Sequence, residues 1–560
     1  MRKRLAALIS VAKGELPADL ILANARVINV FSGEIEPGNV AIYGDKIAGV
    51  GDYHRAKKVM DLGGKYIAPG LINGHIHPES SMLDIGQYAR AVVPHGTTAL
   101  ITDLHEIANV CGVAGIKYVL DCARRLPFDL FLMAPSCVPA TDRETSGASL
   151  GPEDIRQLLR RKEVIGLGEV MNFPGVLSGD ETVLTKISLA RGKIIDGHAP
   201  GITGKDLNGY IAAGIYSDHE SVSIDEAREK LRRGMFVMIR EGSSEKNLEA
   251  LLPLVNDKTY NRCLFVVDDR SCADLLRDGD IDAVVRKAID LGLDPVRAIQ
   301  LATINPAQYF RRDGLGVVAP GYMANLIVLS DLRRLQIDMV FYRGKIIARE
   351  GKPLFTLPQT SGELTNTVNI KPFNIGALRL LGSGEATAII EIVPGQIITR
   401  KRLEKIKTTN GIVTPNTSRD ILKLVVVERH KATGNIGLGL VSGFGLKMGA
   451  LASSIAHDSH NVIAVGTSDE DIFTAVKEIE RLQGGLVVAA QGKVLASLAL
   501  PIAGLLSDQP LEVVVSKLER LEQIATELGT TLSSPFATLS FLALPVIPEI
   551  RLTDRGVVEL

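Results

Sequence analysis

Residues 69–83 read PGLINGHIHPESSML. A short β-type run, LIN, stops at a glycine and delivers His75 and His77 as an H-x-H pair. On an extended chain, residues i and i+2 share a face, so both imidazoles point the same way. The same arrangement recurs as TALIT before Asp103, LFLMAP, VIGLG before Glu169, KIID before His198, AGIYSD before His219, FVMI before Arg240 and CLFVV before Asp268. Most of these runs lead into helix-like stretches such as DEAREKLRRG and DIDAVVRKAIDLG. Strand alternating with helix specifies βα units and a parallel sheet. Eight such units in about 240 residues is the size of a (β/α)8 barrel. A doubly wound sheet is disfavoured, because no GxGxxG follows the first strand.

On either side of this region the pattern changes. ADLILANARVINVFSGEIEPGNVAIYGDKIAGVG near the N-terminus alternates apolar and polar residues between Ser-Gly, Pro-Gly and Gly-Asp turn signals, as short antiparallel strands do. GYMANLIVLSDLRRLQIDMVFYRGKIIAREGK returns the same texture much later. Residues 1–68 and 315–355 are therefore expected to form one small discontinuous β-domain, with the barrel, residues 69–314, inserted in it. TLPQTSGELTNTVNI then reads as a polar linker. Residues 356–560 hold the strand-like runs ILKLVVVER, NVIAVGTS and GLVVAA and the helix-like DEDIFTAVKEIERLQGG, which predicts a separate α/β or α+β domain.

Composition narrows the function. Of 560 residues, 46% are apolar and 4% aromatic, with no Trp, so the core rests on Val, Ile, Leu and Ala. Lys plus Arg, 63, nearly cancels Asp plus Glu, 64. A net charge of −1 argues against a nucleic-acid or anionic-membrane surface as the main business of the chain. The five cysteines never form a CxxC pair, which excludes a disulfide framework and a structural zinc site and suits a reducing cytoplasm. MRKRLAALISVAKGEL has basic residues before an apolar run that stops at Lys13, with no small-residue cleavage site, so a signal peptide is not expected. The longest apolar stretch, VLASLALPIAGLL, is too short to span a bilayer.

Active sites of (β/α)8 barrels lie at the C-terminal ends of the strands. His75 and His77 end the first strand, Glu169 the fourth, His198 the fifth, His219 the sixth and Asp268 the eighth, so they should converge on one mouth. Four histidines and two carboxylates suit Zn, Mn or Fe, not Ca or Mg alone. Taken singly, each has a plainer reading: a surface H-x-H, a packed His198, an ion-paired Glu169. Six such residues at the same end of the strands, in a chain with ten histidines, outweigh those readings. His54 reads as a solvated loop residue and His95 as a helix-terminal cation.

The segments APGLINGHIHPESSM, VVPHGTTALITDLHEIANV, PSCVPATDRETSGASL, GLGEVMNFPGV, DGHAPGITG, DHESVSIDEAREKLRRGMFVMIREGS, VVDDR and TINPAQYF together resemble the adenine deaminases of bacteria and archaea, a branch of the amidohydrolase superfamily. The likeness continues through RHKATGNIGLGLVSGFGLKMGALASSIAHDSHN and so covers nearly the whole chain. The family lacks the fourth-strand carbamylated lysine of many amidohydrolases, and Glu169 stands at that position here. The resemblance implies hydrolytic deamination of adenine to hypoxanthine and ammonia in purine salvage and adenine catabolism. It also implies two divalent ions, Mn2+ first, with Fe2+ or Zn2+ as alternatives, and a homo-oligomer such as a dimer. A metal-bound hydroxide would attack C6. On this reading His75, His77 and Asp268 hold one metal, His198 and His219 the other, and Glu169 bridges them. Asp268 is expected to carry the proton from the nucleophile to ammonia, and either Glu241 or Glu106 to protonate N1. Arg240, Ser243 and Asn172 are weaker expectations for orienting the purine, each with a structural alternative: an ion pair for Arg240, a turn for Asn172. Asp103, His105 and Glu106 face the same mouth, where orienting the ligands is at least as good an expectation as direct catalysis.

Two other functions stay open on the sequence: a cyclic-amide hydrolase of the dihydroorotase or hydantoinase kind, which normally uses the lysine absent here, and a silent binding protein, against which the full ligand set argues. The zinc deaminases built on H-x-E and P-C-x-x-C have neither motif in this chain. Finally, IAHDSHN places His457, Asp458 and His460 within four residues. It reads either as an exposed turn held by its own backbone or as a lid over the barrel mouth, with His457 against the substrate and no third metal.

Overall fold

The computed structural model describes residues 2–358, 362, 364–382, 385–394 and 396–559; part of the expected linker, 359–361 and 363, lies outside the described residues. Eight parallel strands follow the eight apolar runs: β1 (Leu71–Asn73), β2 (Thr97–Thr102), β3 (Asp129–Pro135), β4 (Val164–Val170), β5 (Ile194–Gly197), β6 (Ser217–Asp218), β7 (Phe236–Arg240) and β8 (Cys263–Val266). β1 to β5 form one hydrogen-bonded sheet and β6 to β8 another. The ring closes where Ile76 pairs in parallel with Asp268. Across the other seam the Gly197 amide donates to Ser217 Oγ at 3.2 Å. Ile72, Ile101, Met133, Met238 and Leu264 fill the interior, and Tyr309 and Phe310 pack against the same cluster. A filled interior leaves chemistry to the rim. β4 carries glycine for a steric reason: a Cβ at Gly168 would stand 2.5 Å from Asp103 Cβ, so only glycine lets the β2 and β4 ends come this close.

The small β-domain is one sheet drawn from both flanks of the barrel. Tyr66–Pro69 is the joint, antiparallel to Leu326–Asp331 and parallel to Ala18–Asn29. The basic N-terminal segment forms the helix Arg2–Ala12, whose buried Val11 packs with Ile21, Ala41 and Ala48 of that domain.

The C-terminal domain is α+β. Its eight-stranded sheet is antiparallel apart from one parallel pair, Ala386–Ile392 with Ile436–Ser442. The helix Asp469–Leu482 packs on it, started by the Ser468 side chain accepting from the Asp471 amide at 3.1 Å. The domain docks on the barrel's upper face. Arg90 meets Glu512 with two bonds, 2.6 and 3.1 Å, and the Thr145 hydroxyl donates to Asp554 at 2.7 Å. Among the described residues no helix is long and apolar enough to cross a membrane.

Lys230 is fully buried on the helix after β6 and ties the β5 and β6 ends together. Its Nζ donates to Asp218 at 2.8 Å, to Glu226 at 2.7 Å and to the Ala199 carbonyl at 2.7 Å. Asp218 in turn accepts from the amides of Ala199 and Ser221, both at 3.0 Å, so one ion pair fixes the backbone beside His198 and His219. Lys230→Met leaves Asp218 buried without its cation and should cost about 3–5 kcal/mol in urea unfolding. A change below about 1 kcal/mol, the range of a surface ion pair, would contradict that account.

Candidate active site

Beyond β1 the chain runs alongside the end of β8. The Asp268 amide donates to the His75 carbonyl at 3.0 Å, and the His77 amide donates to the Asp268 carbonyl at 3.2 Å. This register sets one carboxylate between two imidazoles: Asp268 Oδ1 lies 3.5 Å from His75 Nε2 and 3.2 Å from His77 Nε2. Asp268 adopts a left-handed backbone, φ 65°, a conformation uncommon outside glycine that aspartate tolerates better than most residues, here found at the site itself.

Glu169, from β4, divides its two oxygens. Oε1 lies 3.3 Å from His77 Nε2, and Oε2 lies 3.2 Å from both His198 Nδ1 and His219 Nε2. His75, His77, Glu169, His219 and Asp268 are buried, and His198, with 12% of its side chain exposed, stands nearest the solvent. The structure thus brings together all six residues expected from the strand ends.

The donor set fits metal ions. Donor atoms of His75, His77 and Asp268, and of His75, Glu169 and His219, lie within 4.8 Å of one another. His75 Nε2 is buried with no hydrogen-bond partner, so it is aimed at a point between the side chains and not at any one of them. Burial and the neighbouring His219 hold His75 below the usual imidazole range, which leaves a lone pair to bind a cation. Among the described residues Arg240 is the only Lys or Arg paired with Glu169, Asp268, Asp103 or Glu220. Four buried carboxylates and one guanidinium call for further positive charge. The cluster fits a binuclear centre.

Three further residues belong to it. Asp103 and His105, 2.9 Å apart, extend it from β2, with His105 Nδ1 3.3 Å from Glu169 Oε1 and Asp103 Oδ1 3.4 Å from His77 Nδ1. Glu220, which the sequence did not single out, places Oε1 3.5 Å from His198 Nδ1 and 3.3 Å from His219 Nε2. Strand alternation would send Glu220 away from its neighbour His219. β6 ends at Asp218, however, so that rule no longer applies there. Arg240 Nη1 donates to Asp268 Oδ2 at 2.7 Å, and Nη2 donates to Glu220 at 3.0 Å. Burial opposes the Arg240 charge, but Glu220 and Asp268 outweigh it and raise its pKa.

The C-terminal loop reaches this mouth. His457, Asp458, Ser459 and His460 are all buried. His457 Nδ1 lies 2.7 Å from Glu106 Oε1, His460 pairs with Glu106 Oε2, and His457 stacks on Phe541 with ring centroids 4.5 Å apart. Other expected residues lie apart. The Glu241 carboxylate accepts from the Leu248 amide at 3.1 Å and pairs with Lys287. The Ser243 hydroxyl donates to Asp274, and Asn172 caps the helix Phe173–Ser178 by accepting from the Gly175 amide at 2.9 Å. His95 ends a short helix beside Asp282 at 3.0 Å, and His54 is exposed.

The amidohydrolase family profile matches residues 66–347, the barrel with its flanking strands. The profile of the adenine deaminase C-terminal domain matches residues 396–560. A protein named adenine deaminase from Dehalococcoides mccartyi is 63% identical over all of this chain and 98% of its own. One named adenine deaminase 2 from Carboxydothermus hydrogenoformans is 49% identical over 99% of this chain and 97% of its own. A third, from Clostridium acetobutylicum, is 46% identical over 98% of each. The chain belongs to the adenine deaminase family.

Two outcomes follow from the site. His77→Ala should lower bound metal by at least about one equivalent per chain in elemental analysis, because His77 faces both carboxylates; full occupancy would remove His77 from the ligand set. The second concerns the loop. Burial pulls the His457 pKa down, but Glu106 outweighs it and sets it at about 9, above the usual imidazole value. The stability from this pair is complete below the unfolded-state pKa of about 6.5 and disappears as pH rises through about 9. The urea midpoint should fall between pH 7 and about 9.5, and His457→Gln should flatten that fall. An unchanged slope in His457→Gln would exclude the pair as its source.

Proposed function

We propose that the protein hydrolyses adenine to hypoxanthine and ammonia. The observation that carries this is the Glu169 carboxylate at the end of β4, set between two groups of histidines where other amidohydrolases place a lysine, in a chain of adenine deaminase type throughout. His75, His77, Glu169, His198, His219 and Asp268 would hold two divalent cations, which when bound would lower the pKa of water toward neutrality.

The chain's own residues handle the protons. Asp268 Oδ1 faces the histidines and takes the proton of the attacking water, and the same oxygen hands it to the exocyclic nitrogen as the C6–N bond breaks. Its second oxygen is fixed by Arg240, so the carboxylate cannot turn away. This favours Arg240 as a group that positions Asp268 over one that holds the purine. We assign the N1 proton to Glu106 acting with His457, rather than to Glu241. Glu106 lies at the mouth 2.7 Å from the His457 imidazolium that supplies the proton, whereas Glu241 is tied to Lys287. The second proton of the attacking water, released as the C6 carbonyl forms, restores the pair. The loop from His457 to His460 excludes water above the site. Mn2+ as the preferred ion, a cytoplasmic setting, a role in purine salvage and a homo-oligomer complete the reading. A cyclic-amide hydrolase has no support from relatives that are named adenine deaminase over their whole length.

Ammonia release from adenine, followed on Mn-loaded protein and again after chelation, tests the reading; full activity in verified metal-free protein would defeat it. Asp268→Asn should lose on the order of 10² or more in kcat while keeping most of its metal. If it instead loses metal as His77→Ala does, Asp268 acts mainly as a ligand.

A further inference from the structure

At the opposite end of the barrel from the histidines, a cavity of about 290 Å³ opens at the starts of β4 and β5. Three chain segments bring Arg160, Arg161, Lys162, Lys193, Arg311 and Arg312 to its wall, and among the described residues no carboxylate lines it. In a chain whose charges cancel almost completely, six cations around one hollow is a strong local excess. Opposing charge is weak nearby. The closest carboxylate to Arg161 is Glu163, 3.9 Å from Nε, and Glu163 is bound by Arg124 at 3.1 Å. Asp313 also acts on Arg312 but does not line the cavity.

The cations are partly prearranged. Lys193 Nζ donates to the Val164 carbonyl at 2.9 Å, Arg311 Nη1 to the Gly192 carbonyl at 3.2 Å, and Arg312 Nε to the Phe310 carbonyl at 2.9 Å. Each of these bonds uses one donor of three on lysine or five on arginine, so most donors stay free. Arg161, which lines the cavity, makes no hydrogen bond through its buried Nε, so no partner close by neutralises its charge. The floor is apolar, formed in part by Ile165 and the buried Phe310.

We propose that this cavity binds a small polyanion carrying phosphate groups. Arginine forks match phosphate oxygens in pairs, and several arginines in one hollow hold more than one charge. The volume is near the lower limit of small-molecule sites, roughly 300 Å³, which suits a compact phosphate compound with little organic bulk. The site is independent of the deaminase reading, since no residue in it reaches the mouth. Its effect on the protein is stabilisation by mass action of the native state.

The test is thermal unfolding and titration calorimetry of the Mn-loaded protein with inorganic pyrophosphate and, separately, with AMP. Saturable stabilisation by pyrophosphate is expected, weakening as NaCl rises. Stabilisation by both probes means phosphate groups suffice, and a stronger effect of AMP means the organic part uses the apolar floor. Arg161→Glu with Arg312→Glu should weaken binding at least about tenfold, with adenine turnover unchanged. Because Arg312 is half-buried, the exposed pair Arg160→Glu with Lys162→Glu serves as a second variant, with a smaller loss in the same direction. No stabilisation of the wild type would overturn the proposal. Equal stabilisation of wild type and both variants would do so too, as expected for AMP seated in the catalytic mouth or pyrophosphate acting on the metal.

Discussion

The site turns on one buried carboxylate. Glu169 is buried in the mouth, with His77 and His105 near one oxygen and His198 and His219 near the other. Burial alone would keep such a group protonated, but the histidines outweigh it and hold its pKa well below the usual range. A charged carboxylate in that position organises positive charge on both sides. Asp268, Arg240 and Glu220 form a chain around one flank, and Asp103 with His105 closes the other. Each member is held by a neighbour that is itself held, so no ligand depends on a flexible side chain alone.

The architecture supplies that order from three directions. Backbone pairing between the His75–His77 segment and Asp268 closes the barrel and sets two imidazoles against one carboxylate. Lys230, from outside the ring, locks the β5 and β6 ends through Asp218. The C-terminal domain adds the third support by clamping Glu106 between His457 and His460. Its loop is itself tied back, because Arg429, fully buried, donates to the His460 and Ala503 carbonyls. Folding of the last domain is thereby connected to the geometry of the first.

Much of this was legible in the sequence because strand ends are legible. Runs such as VIGLG and CLFVV stop at a polar side chain, and barrel topology sends every such end to one mouth. The α+β character of the last domain was legible only as a choice between two classes, since the hydrophobic pattern of a short strand does not reveal its direction. Glu220 carries no signal in the sequence, since strand alternation would turn it away from its neighbour His219 and the two-residue strand ends before it. Glu241, Ser243 and Asn172 follow strand ends in sequence, but each side chain has a local partner, the Leu248 amide, Asp274 and the Gly175 amide, which adjacency alone does not reveal. For Asn172 this is the turn that the sequence also offered. His460, seven residues past the end of a strand in another domain, had no local signal that it would meet Glu106.

Glu169 turns one oxygen to each group of histidines, so two cations held there would share it. Anomalous diffraction from crystals of the Mn-loaded protein, collected at the manganese edge, measures this directly. A shared Glu169 gives two peaks, one on the His75, His77 and Asp268 side and one on the His198 and His219 side. A single peak, or a second one lying among Glu106, His457 and His460 instead, would contradict it.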